Sequence, residues 1–340
     1  MLSRLLRKPA PAPAVPAATA AQPQPQPQPQ PARPLAPRLT QAQERAIEQA
    51  LRETYFRNWD RAYLDSPDGQ RDIAAITKNR YYTCLDHIVP WIERVMPLKG
   101  KHVLEVGCGT GSSTSGIAHS AAHVHGYDID AEGLEGAKAR ARALNQTNIT
   151  FHLTSPTGLL TTITNNHLAG SLDVTLLYAV LEHQHVQERI DTLQTCWNLL
   201  RPGGLLVVVE TPNRLTYFDG HTAMLPFYHM LPAELAIMYA PRSPRAAFPQ
   251  SIAEAAAKSH DEALERLARW GRGVSYHEFE LALGDLNPLV VAHGYEPEVH
   301  SLCQPTPDQS HLQAYWKEAN INVPVAFTRA DLTMILRKPA

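Results

Sequence analysis

The chain has 340 residues, 44% of them hydrophobic, and a formal net charge of −2. That length allows one large α/β domain or two small ones with a substantial core, and the near-neutral balance lacks the basic footprint that would favour a nucleic-acid partner. No apolar run approaches the ~20 residues needed for stable membrane insertion, and Cys84, Cys108, Cys196 and Cys303 are dispersed without CxxC pairing, which fits reduced thiols in a cytoplasmic protein rather than a disulfide frame or zinc site.

Residues 1–38 are rich in Pro, Ala and Gln, and Gln22 to Pro31 alternates strictly as QPQPQPQPQP. Proline at that density predicts an extended, disordered tail. The basic opening MLSRLLRK lacks a secretory apolar stretch and leaves organellar targeting open. Residues 39–98 read as a helical cover: a helix over Gln41–Asp60, a turn at Ser66 to Gly69, and a helical stretch over Arg71–Val95 interrupted near Pro90. An alternating pattern follows in 99–212. Strands are expected at His102–Val106, Val124–Asp128, Ile149–Leu153, Asp173–Tyr178 and Leu205–Glu210, and helices at Ser112–Ala121, Ala131–Leu144 and Val186–Leu200. Strands separated by helices predict a parallel sheet covered on both faces. Residues 213–274 lose the pattern and contain five prolines, with Pro212 just before them, so an inserted cap is expected after the fifth strand. In 275–340, Ser275 to Glu278 is a capping-box start, and two further strands are expected at Glu298–Cys303 and Leu332–Arg337.

The stretch VLEVGCGTGSS, Val103 to Ser113, joins a buried strand to a glycine loop and a helix start. Such a junction is a ligand cradle at a strand's carboxyl end. Its third glycine comes one place earlier than in the dinucleotide fingerprint, and the loop holds no lysine for phosphate. Asp128 ends the second strand.

Glu105 with Gly107, Gly109 and Gly111, then Asp128, then DVTLLYAVLEH (Asp173 to His183), then LRPGG (Leu200 to Gly204) resemble the class I S-adenosylmethionine-dependent methyltransferases. The resemblance is to their small-molecule branch, which includes the ubiquinone-biosynthesis O-methyltransferases. It implies a Rossmann-like, seven-stranded sheet and S-adenosyl-L-methionine as cofactor. Asp128 is then expected to accept the ribose hydroxyls, Glu105 to orient the loop near the cofactor's amino group, and Tyr178 and Ala179 to line the methionine arm. Arg80 is expected to pair with the methionine carboxylate, or else to be a solvated helix-face residue. Where family members put an adenine-binding acid after the third strand, this chain has Thr154 and Ser155.

Methyl transfer to a hydroxyl needs an aligned nucleophile and a proton acceptor near neutral pH, which suits histidine. His183, His221 and His229 are the candidates, with His277 behind them, and Asn213 to Pro232 is the expected wall of the acceptor pocket. Some relatives bind a divalent metal at a Glu-His pair with an acid three places earlier. Here Glu182 and His183 are present but the earlier place is Ala179, so no metal is expected. The expected partner is a small-molecule or glycan-like acceptor, methylated on oxygen. A non-catalytic methyltransferase-like subunit and an NAD-dependent dehydrogenase are the alternatives, and oligomeric state is not legible.

Overall fold

A computed structural model describes residues 38–300, 302 and 306–340; the proline-rich tail through residue 37 and Cys303 lie outside the described residues. The strands are β1 (His102–Val106), β2 (His123–Asp128), β3 (Ile149–Leu153), β4 (Leu172–Tyr178), β5 (Leu200–Pro212), β6 (Phe218–Asp219), β7 (Leu225–Pro226), β8 (Val290–Ala292) and β9 (Asp331–Arg337). Seven of them form one sheet in the order β3-β2-β1-β4-β5-β9-β8, and β6 with β7 makes a separate hairpin. β1 to β5 pair in parallel, while β9 runs antiparallel to both β5 and β8. Strand order reverses at β1 and β4, and the crevice at their carboxyl ends is where a ligand is expected in such a sheet.

The central strands β1, β4 and β5 feed two cores. Leu104, Val106, Leu177, Leu206 and Val208 face one side with Leu193, Cys196 and Phe279 from the helices Val186–Leu199 and Tyr276–Leu283. Val103, Val124, Val174, Leu205 and Val207 face the other with Trp91, Ile92 and Ile117. Burial on both faces is why these strands read as unbroken apolar runs rather than alternating ones. No helix among the described residues is long and apolar enough to cross a membrane.

Several sequence expectations change. The first helix stops at Glu53, where Tyr55, Phe56 and Trp59 fold into an aromatic cluster, and a short helix Arg61–Asp65 follows. Ser66 to Gly69 is not a turn but a helix start. The Ser66 hydroxyl accepts from the Gly69 N–H, and Pro67 takes the first helical place, where a missing N–H costs nothing. Helical winding then continues to Val95 without a break at Pro90. Ala75–Asn79 and Cys84–Ile88 are wider π turns, and Pro90 falls in the first turn of the regular segment that restarts at Val89. An unexpected helix, Leu159–Asn166, lies between β3 and β4. The strand expected over 298–303 is a short helix, Pro297–His300, in its described part, and the sheet takes β8 instead. Pro297 provides no ladder N–H and suits the first turn of a helix.

The N-terminal helices are fastened to the glycine loop by Arg140. Its fully buried guanidinium donates to the carbonyls of Thr110 (3.0 Å), Thr77 (2.7 Å) and Ile76 (2.7 Å). On the β1–β3 side of the sheet, His102, His123, His125 and His152 line one face with Tyr127 and meet His167 beyond the helix Leu159–Asn166. Ring centroids are 4.5 Å apart for His123–His125 and His125–His167, and 4.3 Å for the stacked Tyr127–His152 pair.

The chain leaves the sheet at Pro212 and returns at Val274, whose N–H donates to the Pro212 carbonyl at 2.8 Å. Between them lie the β6–β7 hairpin and helices Ala233–Tyr239, Ala247–Ala256 and His260–Trp270, gathered around Tyr228, Phe248, Ile252 and Leu267.

Candidate active site

The glycine loop crosses the carboxyl end of β1 beside β2. Gly107 and Gly111 have φ of +73° and +70°, and a Cβ at either would come within 2.6 Å of Val180 or 2.8 Å of Ala137. Only glycine fits these two places. The Gly109 N–H donates to Asp128 Oδ2 at 2.6 Å and the Asp130 N–H to Oδ1 at 2.8 Å, so the carboxylate is fixed while lone pairs on both oxygens stay available. Burial raises the Asp128 carboxyl above its ordinary range, opposed by those N–H groups and that of Ile129.

Glu105 sits beneath the loop, fully buried. Ser113 Oγ donates to Oε1 and Thr114 Oγ1 to Oε2 at 2.5 Å, so it tethers the following helix. Burial pushes its carboxyl up to about 7, opposed by the two hydroxyls. Ser155 is exposed, and its Oγ accepts from the Gly158 N–H at 3.0 Å; its neighbour Pro156 reaches the cavity. The cavity above the loop, about 510 Å³, is lined by Gly107, Tyr127, Asp128, Ile129, Leu159, Ala179, Val180 and His183 among others.

Ala179, left-handed at φ +51°, also walls a second cavity of about 550 Å³ lined by Arg80, Glu182, Glu210, Phe218, His221, His229 and Asp331. Arg80 is exposed at its edge and, among the described residues, forms no hydrogen bond or ion pair. Tyr178 turns its hydroxyl onto Glu210 Oε1 at 2.9 Å. A third cavity of about 310 Å³ adjoins these two through His183 and His221.

At the junction, His183 and His221 stand 5.3 Å apart between ring centroids. Nδ1 of His183 donates to the Arg269 carbonyl at 2.9 Å. Nδ1 of His221 donates at 3.1 Å to Thr222 Oγ1, which spends its own proton on the Gly271 carbonyl. These partners assign the proton to Nδ1 in each ring and leave Nε2 with a free lone pair. Both Nε2 atoms face Glu182 Oε1, at 3.9 and 3.8 Å. The Glu182 carboxyl is fully buried, and neither oxygen has a hydrogen-bond partner among the described residues. Burial pushes it up to about 8, with Arg189 opposing. Burial lowers His183, against the pull of its Arg269 carbonyl bond, and lowers His221 to about 4 with His183 adding to it. One atom from each of these three side chains lies within 4.8 Å of the others, so the group could hold a divalent cation; His221 fills the gap left by Ala179.

His229 is different. Its Nδ1 accepts the Gly273 N–H at 3.0 Å and its Nε2 donates to Asp219 Oδ1 at 3.1 Å, so both nitrogens are engaged. His277 does not line any of these three cavities. Sequence reasoning left out Glu210, although it ends an apolar strand run as Glu105 does, and gave no weight to Arg245, Arg266 and Arg269 of the cap.

Residues 103–204 match the family model described as a methyltransferase domain. The chain is 28% identical over 167 residues to a probable S-adenosylmethionine-dependent methyltransferase of Mycolicibacterium smegmatis, covering 47% of this chain and 57% of that protein. It is 34% identical over 124 residues to the ubiquinone biosynthesis O-methyltransferase of Aromatoleum aromaticum, covering 36% and 49%. The chain thus spans about half the length of these curated relatives. A crystal structure of magnesium protoporphyrin IX methyltransferase from Synechocystis with bound S-adenosylmethionine is 22% identical with a TM-score of 0.35, covering 52% of this chain and 80% of that one.

Proposed function

We propose that this chain, which carries an S-adenosylmethionine-dependent methyltransferase domain, methylates a hydroxyl of a small-molecule acceptor. One observation supports this most: Ala179 walls both the cavity over the glycine loop and Asp128 and the cavity that holds Glu182 and His221. A cofactor and an acceptor seated in the two would meet there. The donor set suits a phosphate-free nucleoside. It offers a carboxylate with spare lone pairs, two glycines with no space for a Cβ, no lysine in the loop, and an unpaired arginine at the edge. Asp128 would take the ribose hydroxyls, Gly107 to Gly111 would lie under the ribose and methionine portion with Ala179 beside it, and Arg80 would take the methionine carboxylate. Glu105 and Tyr178 hold the loop and strand end, and Ser155 caps the turn that presents Pro156.

When bound, S-adenosylmethionine supplies an electrophilic methyl group on a good leaving group. The chain aligns the acceptor and removes its proton. Nε2 of His183 or His221 is the acceptor atom for that proton, and Nδ1, held by a carbonyl or hydroxyl, steadies the imidazolium that forms. Relatives named as ubiquinone biosynthesis O-methyltransferases support oxygen as the methylated atom. The buried thiols Cys108 and Cys196 support a cytoplasmic setting. Calorimetry with S-adenosylhomocysteine tests the core of this reading. Asp128→Ala should weaken binding ~30-fold, about 2 kcal/mol, and unchanged affinity would sink the assignment.

A further inference from the structure

The third cavity is basic. Its wall is His183, His221, Arg245, Arg266, Arg269 and Trp270, with no carboxylate among the lining residues. Arg269 is committed elsewhere, to Glu188 through Nη1 and Nη2 at 2.8 and 3.0 Å and to Glu265 through Nε at 2.8 Å. The other two arginines are not. Arg245 gives Nη1 to the His221 carbonyl at 2.5 Å and lies over the Trp270 ring, 5.1 Å from its centroid. Arg266 gives Nη1 to Ser251 Oγ at 2.9 Å. Among the described residues neither meets a carboxylate, and Nε and Nη2 of both are left without a partner.

A guanidinium pinned at one nitrogen and stacked on an indole has lost much of its freedom before a ligand arrives, and its remaining N–H groups form the flat fork that suits an oxyanion. The histidines at the inner end are uncharged when Nε2 is bare, so the positive charge of the cavity is concentrated on the arginines at its outer end. A volume of about 310 Å³ is at the small end for ligand sites and fits a ring-sized head group with its acidic substituent.

We propose that this cavity is an anion subsite of the acceptor: the methylated molecule carries a carboxylate or a phosphate, which Arg245 and Arg266 bind while its nucleophilic oxygen lies at His183 and His221. This rests on the methyltransferase reading above and narrows its substrate class to acidic acceptors. It also explains why two arginines of the cap line the cavity beside the candidate base without pairing with a carboxylate among the described residues.

The test is calorimetry on the full chain saturated with S-adenosylhomocysteine, titrated with benzoate, phenyl phosphate and the neutral analogue benzamide. Both oxyanions should bind at least about tenfold tighter than benzamide. Arg245→Gln with Arg266→Gln should erase that preference while leaving S-adenosylhomocysteine affinity within about twofold, which also shows that the variant is folded. Arg266→Lys, which keeps the charge and loses the fork, should fall between. A tighter phosphate marks a phosphorylated acceptor, and a tighter carboxylate an acidic one. Benzamide binding as well as benzoate, or the double variant keeping the oxyanion preference, would overturn the proposal. Failure of the wild type to bind S-adenosylhomocysteine would instead strike the methyltransferase reading, because oxyanion binding is measured separately.

Discussion

Two histidine–carboxylate groups lie within a few residues of each other in the chain, and they are built in opposite ways. Asp219 accepts the N–H groups of His221 (2.9 Å), Thr222 (2.7 Å) and Ala223 (2.7 Å) and the Nε2 proton of His229, whose Nδ1 is itself satisfied by Gly273. Glu182 is as deeply buried and has no hydrogen-bond partner among the described residues, while His183 and His221 turn bare Nε2 atoms toward it. The first group is complete and ties the hairpin of the cap to Gly273, where the chain turns back toward the sheet. The second is incomplete without something that enters from a cavity. A buried polar atom left unsatisfied costs about 1–3 kcal/mol, and that cost persists where a ligand or a reaction uses the atom.

The largest effect expected from this contrast is on turnover. Replacing His183 and His221 together by Asn should lower kcat by ~10² or more, measured with the variant saturated with S-adenosylmethionine. Because both imidazoles are held below their ordinary value, His221 down to about 4, they stay unprotonated as pH falls through 6.5. The acid limb of kcat/KM should therefore lie below 6.5, and near 4 where His221 is the base. A limb at 6.5, or full activity in the double variant, would place the base elsewhere.

Next is stability. Asp219→Asn should cost on the order of 3 kcal/mol, lowering Tm by about 6 °C or more. Burial would raise Asp219, but the His229 hydrogen bond and the backbone N–H groups of Thr222 and Ala223 outweigh it and hold the carboxyl at about 2. A depressed carboxyl stabilises above its unfolded value and loses that contribution as pH falls from about 4 to 2, so the deficit of the variant should shrink over that window. A deficit independent of pH would mean that the hydrogen bonds to the ionised carboxylate are not its cause.

The smallest effect has the opposite sign. Glu182 binds its proton more tightly folded than unfolded, so its contribution worsens as pH rises from 4.5 to about 8. Glu182→Gln should raise Tm at pH 8.5 by about 2 °C or more and change little near pH 4.5. Equal Tm at both values would show that the carboxyl is already satisfied, and the contrast between the two groups would fall.

The glycine loop was legible because its grammar is local: strand, three glycines with positive φ, and helix occupy eleven residues, and Asp128 is one strand away. The family resemblance read from those motifs agrees with the matched methyltransferase domain. The junction of His183 and His221 was not legible, because 38 positions separate them and only the folded cap closes the gap. His229 looked equivalent to His221 in sequence; what separates them is the Gly273 N–H, 44 residues away. The helix Leu159–Asn166 was hidden by its run of threonines and asparagines, poor helix formers whose Leu159 and Ile163 are nonetheless buried. Ser66–Gly69 misled because serine, proline and aspartate open helices as readily as they make turns.

The stacked imidazoles on β1 to β3 have a consequence for how the molecule comes apart. Burial and mutual repulsion lower His123, His125, His152 and His167, with His125 held at about 3. A base whose folded value is depressed loses stability as pH falls below its unfolded 6.5. Mild acid should therefore loosen this side of the sheet first, with β3 at its edge, and hydrogen exchange between pH 7 and 5 should show β2 and β3 amides losing protection while β5 and β9 keep theirs. The cofactor cradle is anchored on β1 and β2, so the face that would bind the nucleoside sits at the end of the sheet that these four histidines make sensitive to acid.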